Sequence, residues 1–148
     1  MLKYSTLILS LLFSATLATT TPLASTKIQR QDVDLNVFQN KEVLRLAQAE
    51  LSKNLPRKID PYTTLIAVTT KDETLIYTYE INTGAKSDAS VRKEDHSRMK
   101  KALTQGTCRT SQRFLQSGIS LSYIYNSAKS KAQLFRFDVS KKDCPNLG

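Results

Sequence analysis

The sequence predicts an α+β domain in two layers, αββαββ, with helices on one face of a four-stranded antiparallel sheet and one disulfide. Three observations lead there. A helix-period segment followed by two β-rich, alternating segments occurs twice along the chain. The runs Leu75-Ile-Tyr-Thr-Tyr79 and Leu121-Ser-Tyr-Ile-Tyr125 share one alternation. Two cysteines, Cys108 and Cys144, stand in a chain that opens like an exported protein.

That opening places Lys3 before an apolar stretch from Leu7 to Leu17, with small residues after it. This is the layout of a secretory signal peptide over residues 1–18, with cleavage between about residues 18 and 24. The apolar run is roughly half the 20 or so residues that a spanning helix needs. Ser14 and Thr16 also interrupt it, so no transmembrane segment is expected in the mature protein. Residues 19–36 are rich in Thr, Ser, Gln and Asp without an apolar period and read as a flexible leader. Residues 37–148 read as a single domain.

Each element follows from local pattern. Asn40 reads as a cap for a first helix, whose apolar face is Val43, Leu44, Ala47 and Leu51 and which Pro56 ends. After the Asp60-Pro61 turn signal, Tyr62 to Thr70 and Thr74 to Ile81 read as an antiparallel hairpin. In the second of these, Leu75, Tyr77, Tyr79 and Ile81 share a side. Ser87, Asp88 and Ser90 offer caps for a second helix running to about Gln105 and stopped by Gly106. On that helix Val91, Met99, Ala102 and Leu103 cluster, while Lys93, Lys100 and Lys101 point away. Glu94 and Asp95 are expected to pair with later basic residues. A short helix from Cys108 to Gln116, closed by Gly118, precedes a second hairpin of Ile119–Tyr125 and Ala132–Val139.

In an oxidising compartment the default for Cys108 and Cys144 is to pair. The alternatives are a metal pair or a catalytic thiol, but a metal needs further His or Cys ligands and only His96 is present. The chain carries a formal +9. Losing Lys3 with the signal leaves 21 Lys and Arg against 13 acidic residues, or +8. Such a charge favours anionic partners and also keeps a protein soluble.

No phosphate-binding glycine loop, metal helix or nucleophile elbow is present, so neither a metal nor a cofactor is expected. His96 beside Asp95 could be imagined in a Ser–His–Asp arrangement, yet a base needs an orienting partner and a pocket. A solvated polar residue is the plainer reading, and no catalytic residue is assigned. Tyr77, Tyr79, Tyr123 and Tyr125 could stack rings of sugar or nucleic acid. They share strand faces with Leu75, Ile81, Ile119 and Leu121, which favours core packing. Nucleic acid is not the expected partner of an exported protein.

From Leu55 onward the chain resembles a group of small secreted bacterial proteins with two cysteines. Leu55-Pro56, Asp60, Thr64, Leu75-Ile-Tyr77, Tyr79, Cys108, Leu115, Gly118, Tyr123, Tyr125 and Asp143-Cys144 carry that resemblance. Such proteins look like exported helper or effector-like domains, some associated with type II secretion. The layout is also similar to the disulfide-bonded α+β pilotins of that machinery. Pilotins are usually lipoproteins, whereas no cysteine lies near the expected cleavage site here. The resemblance implies no catalytic or binding residue.

The remaining functional signal is charge. Residues 86–113 hold eight basic side chains against Asp88, Glu94 and Asp95, a net +5. Arg92, Lys93, Lys100 and Lys101, extended by Arg109 and Arg113, are the candidate binding residues. The expectation is a non-enzymatic secreted or periplasmic module engaging an anionic phospholipid or glycolipid headgroup. The alternative is a protein-interaction factor, secretion-accessory, pilotin-like or inhibitory, that docks an acidic protein surface.

Overall fold

The structure, a computed structural model, describes residues 24–145, with side chains from Leu35 onward. The expected signal peptide and its cleavage window up to residue 23 lie outside the described residues. Helix α1 (Ala24–Ser52) leads to strand β1 (Arg57–Lys58) and the hairpin of β2 (Thr63–Lys71) and β3 (Thr74–Ile81). Helices α2 (Asp88–Arg92), α3 (Ser97–Thr110) and α4 (Gln112–Gln116) follow. Strands β4 (Ser120–Ser127) and β5 (Gln133–Val139) and a 3-10 turn (Lys141–Asp143) complete the order.

The α+β class holds, and the sheet differs from expectation in two ways. It has five strands, in the order β1-β2-β3-β4-β5, because the short pair Arg57–Lys58 bonds to the edge of β2. The two hairpins are antiparallel, but the central pair β3–β4 is parallel, so the sheet is mixed. Parallel neighbours need a crossover of about a dozen residues or more. Residues 82–119 supply it, leaving β3 at one end of the sheet and re-entering β4 at the other.

The register brings Leu75, Tyr77 and Tyr79 beside Leu121, Tyr123 and Tyr125, and these beside Val139, Phe137 and Phe135. Helices cover this face, as the alternation predicts. Leu44 of α1, with Ala47 and Leu51, packs on Leu65, Val68 and Leu75. Leu115 of α4 and Leu103 of α3 pack on Leu121 and Val139. Leu44, Leu65, Leu75, Leu115 and Leu121 are all at most 2% exposed, and burying each contributes roughly 2 kcal/mol.

Three helix boundaries depart from the sequence reading. First, α1 begins at Ala24, so residues 24–36, expected as flexible leader, are helical. No Gly or Pro interrupts the chain from Ala24 to Ser52, and polar composition alone does not break a helix. Asn40 is therefore inside α1 and not a cap. Its buried side-chain amide donates to Glu73 Oε1 at 2.7 Å and to the Ser117 carbonyl at 2.9 Å.

Second, the long helix expected from Ser87 to Gln105 is two helices. Asp95 accepts from the Ser97 N–H at 2.9 Å and the Ser97 hydroxyl at 3.0 Å, starting α3 afresh. Ser87 caps α2, as the sequence suggested, accepting from the Ser90 N–H at 3.2 Å. Third, Gly106 does not stop α3, which runs to Thr110. A mid-helix glycine costs only about 1 kcal/mol, and the next residue, Thr107, is buried with its hydroxyl 2.7 Å from Tyr123 OH. Gly118, with φ +94°, does close α4.

Cys108 of α3 and Cys144, just after the 3-10 turn, are joined by a disulfide with a Cα–Cα distance of 5.6 Å. The bond ties the end of the sheet to the helical layer.

Candidate functional site

The six basic residues singled out in the sequence lie on or beside three helices, α2, α3 and α4. An α-helix turns about 100° per residue, so Arg98, Lys101, Gln105 and Arg109 fall on one stripe of α3, and all four are exposed. Arg113 of α4 lines one hollow together with Arg109. No acidic residue lies within α3. Among the described residues none of Arg98, Lys101, Arg109 or Arg113 takes part in an ion pair.

The others are placed differently. Arg92 donates from Nε to the Gln133 carbonyl at 2.9 Å, so α2 is fastened to β5 by this side chain. Lys93 is exposed at the C-terminal cap of α2. Lys100 is exposed on α3, and the carboxyl of Asp143 is held below the usual range first by the Ser140 N–H and then by the Ser140 hydroxyl, with the Lys100 charge a lesser cause. Sequence reasoning left Arg98 out of the candidate set, although its spacing to Lys101 would have placed it on the stripe.

The acidic residues expected to neutralise this helix are engaged elsewhere. Glu94 pairs with Lys86 at 2.7 Å, reaching back to the preceding loop. Asp95 is spent on Ser97, whose N–H lowers its pKa. The self-pairing that would leave an inert solvated face is therefore absent on the α3 stripe among the described residues.

His96 is not simply solvated. Its ring lies against Phe135 with centroids 4.1 Å apart, and its Nε2 is 2.9 Å from the Val91 carbonyl oxygen. Packing and a backbone contact thus occupy it, and the Asp95 carboxylate bonds Ser97 instead of orienting it for base chemistry.

The tyrosines form two ladders across the sheet. Tyr77 stacks on Tyr123 at 5.4 Å. Tyr79 stacks on Tyr125 at 5.0 Å, Tyr125 on Phe135 at 4.8 Å, and Phe135 meets His96. Burial pushes the hydroxyls of Tyr77, Tyr79 and Tyr125 up to about 12. These rings are packing elements first.

Besides a hollow lined by residues 109–114, two concave regions flank the helices. One, of about 680 Å³, lies beside the disulfide and is lined by Gln105, Arg109, Gln112 and Asp143 among others. The other, of about 450 Å³, opens where the ends of β2 and β3 meet α2, α3 and β5. Its apolar lining is Tyr62, Ile81, Val91, Met99 and Phe135, with His96, Lys86 and Glu94 beside them. Sequence reasoning missed this groove, because its walls come from five separate elements.

Comparison with known proteins supports the fold independently. A family model described as "Domain of unknown function (DUF8479)" matches residues 39–135. No curated protein matches the chain. A Pseudomonas aeruginosa protein described as secreted, PA3611, is 19% identical with a TM-score of 0.65, over 74% of this chain and 96% of that one. EpsS, the pilotin of the Vibrio vulnificus type 2 secretion system, is 11% identical with a TM-score of 0.62, over 75% and 96%. AspS, a type II secretion system pilotin from Vibrio cholerae, is 19% identical with a TM-score of 0.58, over 76% and 98%. The resemblance read in the sequence therefore holds at the level of fold.

Proposed function

The chain belongs to the family of that matching model, and from this premise we propose that it is an exported, non-enzymatic protein-interaction factor that docks an acidic partner protein. Signal-directed export by residues 1–18, with a single working domain that includes the whole of α1 from Ala24, is part of the proposal. The observation that carries it is the α3 stripe of Arg98, Lys101 and Arg109, exposed and without ion-pair partners among the described residues. Unneutralised cations on a rigid helix steer an acidic surface and fix its register. The fold shared with two type II secretion pilotins supports a protein partner over the headgroup ligand that charge alone first suggests. A secretion-accessory role is the specific form favoured here.

The test uses the purified protein as bait against the envelope and secreted fractions of its own cells, beside phosphatidylglycerol vesicles. The expected result is one stoichiometric acidic partner, retained at salt that strips the protein from vesicles and lost on the double change Lys101→Glu, Arg109→Glu. Vesicle binding that matches wild type in salt resistance, with no protein partner captured, overturns the reading in favour of headgroup adsorption.

A further inference from the structure

The two margins of the sheet differ in how they are finished. On one side β1 bonds to the start of β2, and Ser52, at the end of α1, donates to the Val68 carbonyl at 3.4 Å. Farther along β2, the Thr70 hydroxyl donates to Gln48 of α1 at 3.1 Å. The other margin is β5, seven residues long, with no strand beyond it among the described residues. A strand that leaves a row of N–H and C=O groups open is a template for a further strand.

The bonding of β4 shows which groups of β5 face outward. The Ser120 N–H donates to the Glu73 carbonyl and the Ala128 N–H to the Ile81 carbonyl, both on the β3 side. The Ser127 N–H donates to the Ala132 carbonyl, on the β5 side. Odd-numbered residues of β4 therefore bond to β5, and their opposites Val139, Phe137 and Phe135 turn inward. Arg136 and Asp138, between them, turn their backbone groups away from the sheet. The outward groups on either side are occupied: the Gln133 carbonyl accepts from Arg92 at 2.9 Å, and the Ser140 N–H donates to Asp143 at 2.8 Å. The N–H and C=O groups of Arg136 and Asp138 have no partner among the described residues. The open part of the edge is thus short and bounded at both ends.

The charges on that opening are self-complementary. Arg136 and Asp138 are exposed, pair with each other at 2.8 Å, and lie on the sheet face opposite Phe135 and Phe137. A strand of uniform charge would be drawn to one of them and repelled by the other. A second β5, run antiparallel about a two-fold axis at Phe137, sets Arg136 of each copy opposite Asp138 of the other. Antiparallel bonding requires outward residues to meet outward residues. Sliding by two residues keeps that rule but opposes Arg136 to Arg136 or Asp138 to Asp138, which is repulsive. Only the register centred on Phe137 pairs opposite charges, and it does so twice. The four charges then alternate in sign around a square, while Phe137 faces Phe137 on the helical side.

We infer that the β5 edge is a self-association surface, through which two copies of this chain join their five-stranded sheets into one. The two-fold axis stands normal to the sheet, so the helical layers of both copies lie on the same side. This pairing is independent of the docking role proposed above, which uses the α3 stripe and not the sheet edge.

Sedimentation equilibrium of the purified, disulfide-bonded protein over a concentration series, with amide exchange alongside, tests this. The expected result is a monomer–dimer equilibrium in which the Arg136 and Asp138 amides exchange fast in dilute protein and slowly in the dimer. Arg136→Asp and Asp138→Arg each set like charges opposite one another, and each is expected to weaken association about tenfold. Mixed in equal amounts, the two variants regain opposite charges in both cross-strand pairs and are expected to associate as strongly as wild type. Both changes made in one chain reverse the order of the charges and are expected to restore dimerisation by that chain alone, which repeats the test should a single variant misfold. A monomer at every concentration, a dimer indifferent to the single reversals, or a mixture that stays monomeric overturns the inference. Protection of the two amides only on adding a different envelope protein assigns the edge to a foreign strand and overturns it as well.

Discussion

The two tyrosine ladders sit two residues apart on the same strands and start from the same local sequence, yet they meet different fates. The inner ladder, Tyr77–Tyr123, ends under α3, where Tyr123 OH and the buried Thr107 hydroxyl lie 2.7 Å apart. The outer ladder, Tyr79–Tyr125–Phe135, runs out to His96 and the wall of the groove. What lies overhead decides which becomes scaffold and which borders a surface. Strand alternation specifies the rings' side of the sheet and nothing more.

The largest test of this contrast is removal of the disulfide, which pins the roof of the inner ladder. Its sequence separation of 36 corresponds to about 4 kcal/mol on the chain-entropy model. Replacing both cysteines by serine is expected to lower the unfolding free energy from urea titration by about that amount and to loosen Thr107 before Phe135 in amide exchange. Next, Phe135→Ala breaks the outer ladder between Tyr125 and His96. Because Phe135 is only half-buried, the expected loss is about 2 kcal/mol by denaturant titration, below that of a full core aromatic.

Smaller effects sharpen the difference. Tyr123→Phe orphans the buried Thr107 hydroxyl and is expected to cost about 1 kcal/mol in urea unfolding. Tyr79→Phe removes a hydroxyl with no hydrogen bond among the described residues and is expected to cost less than about 0.5 kcal/mol. Equal costs for the two would erase the distinction.

Alkaline titration then reads both ladders together. The phenols of Tyr77, Tyr79 and Tyr125 ionise near 12 when folded, chiefly through burial, against about 10 in an unfolded chain. A raised folded value favours the native state below the unfolded pKa, and that contribution is lost as pH rises through the folded one. Stability is therefore expected to fall between about pH 10 and pH 12, alongside late tyrosinate absorbance. Early ionisation of all the tyrosines in the native protein would contradict the packing.

Much of this was legible from the chain. Alternation located β2, β3, β4 and β5 within a residue or two, since one buried face enforces a period of two. The cysteine pair and the one-sided helical layer followed from composition and pattern. Long-range pairing was not legible: no local signal states that Thr74 lies beside Ser120 in the same direction. Arg57–Lys58 is too short to carry a period, and Gly106 was overridden by the burial of its neighbour Thr107. For the candidate site, sequence spacing could define the α3 stripe but not separate Arg92, turned to Gln133, from Lys101. The groove escaped entirely, because Tyr62, Met99 and Phe135 converge only after folding.

The parallel seam between β3 and β4 has a further bearing on how the molecule assembles. Each outer hairpin joins neighbours in the chain and can close quickly, whereas the seam brings together segments separated by the whole helical crossover. The middle of the sheet is therefore expected to zip after its margins. A cut in the exposed stretch at Ala85 would leave two pieces, each with a finished hairpin, that rejoin along this seam and through the Asn40–Ser117 contact beside it.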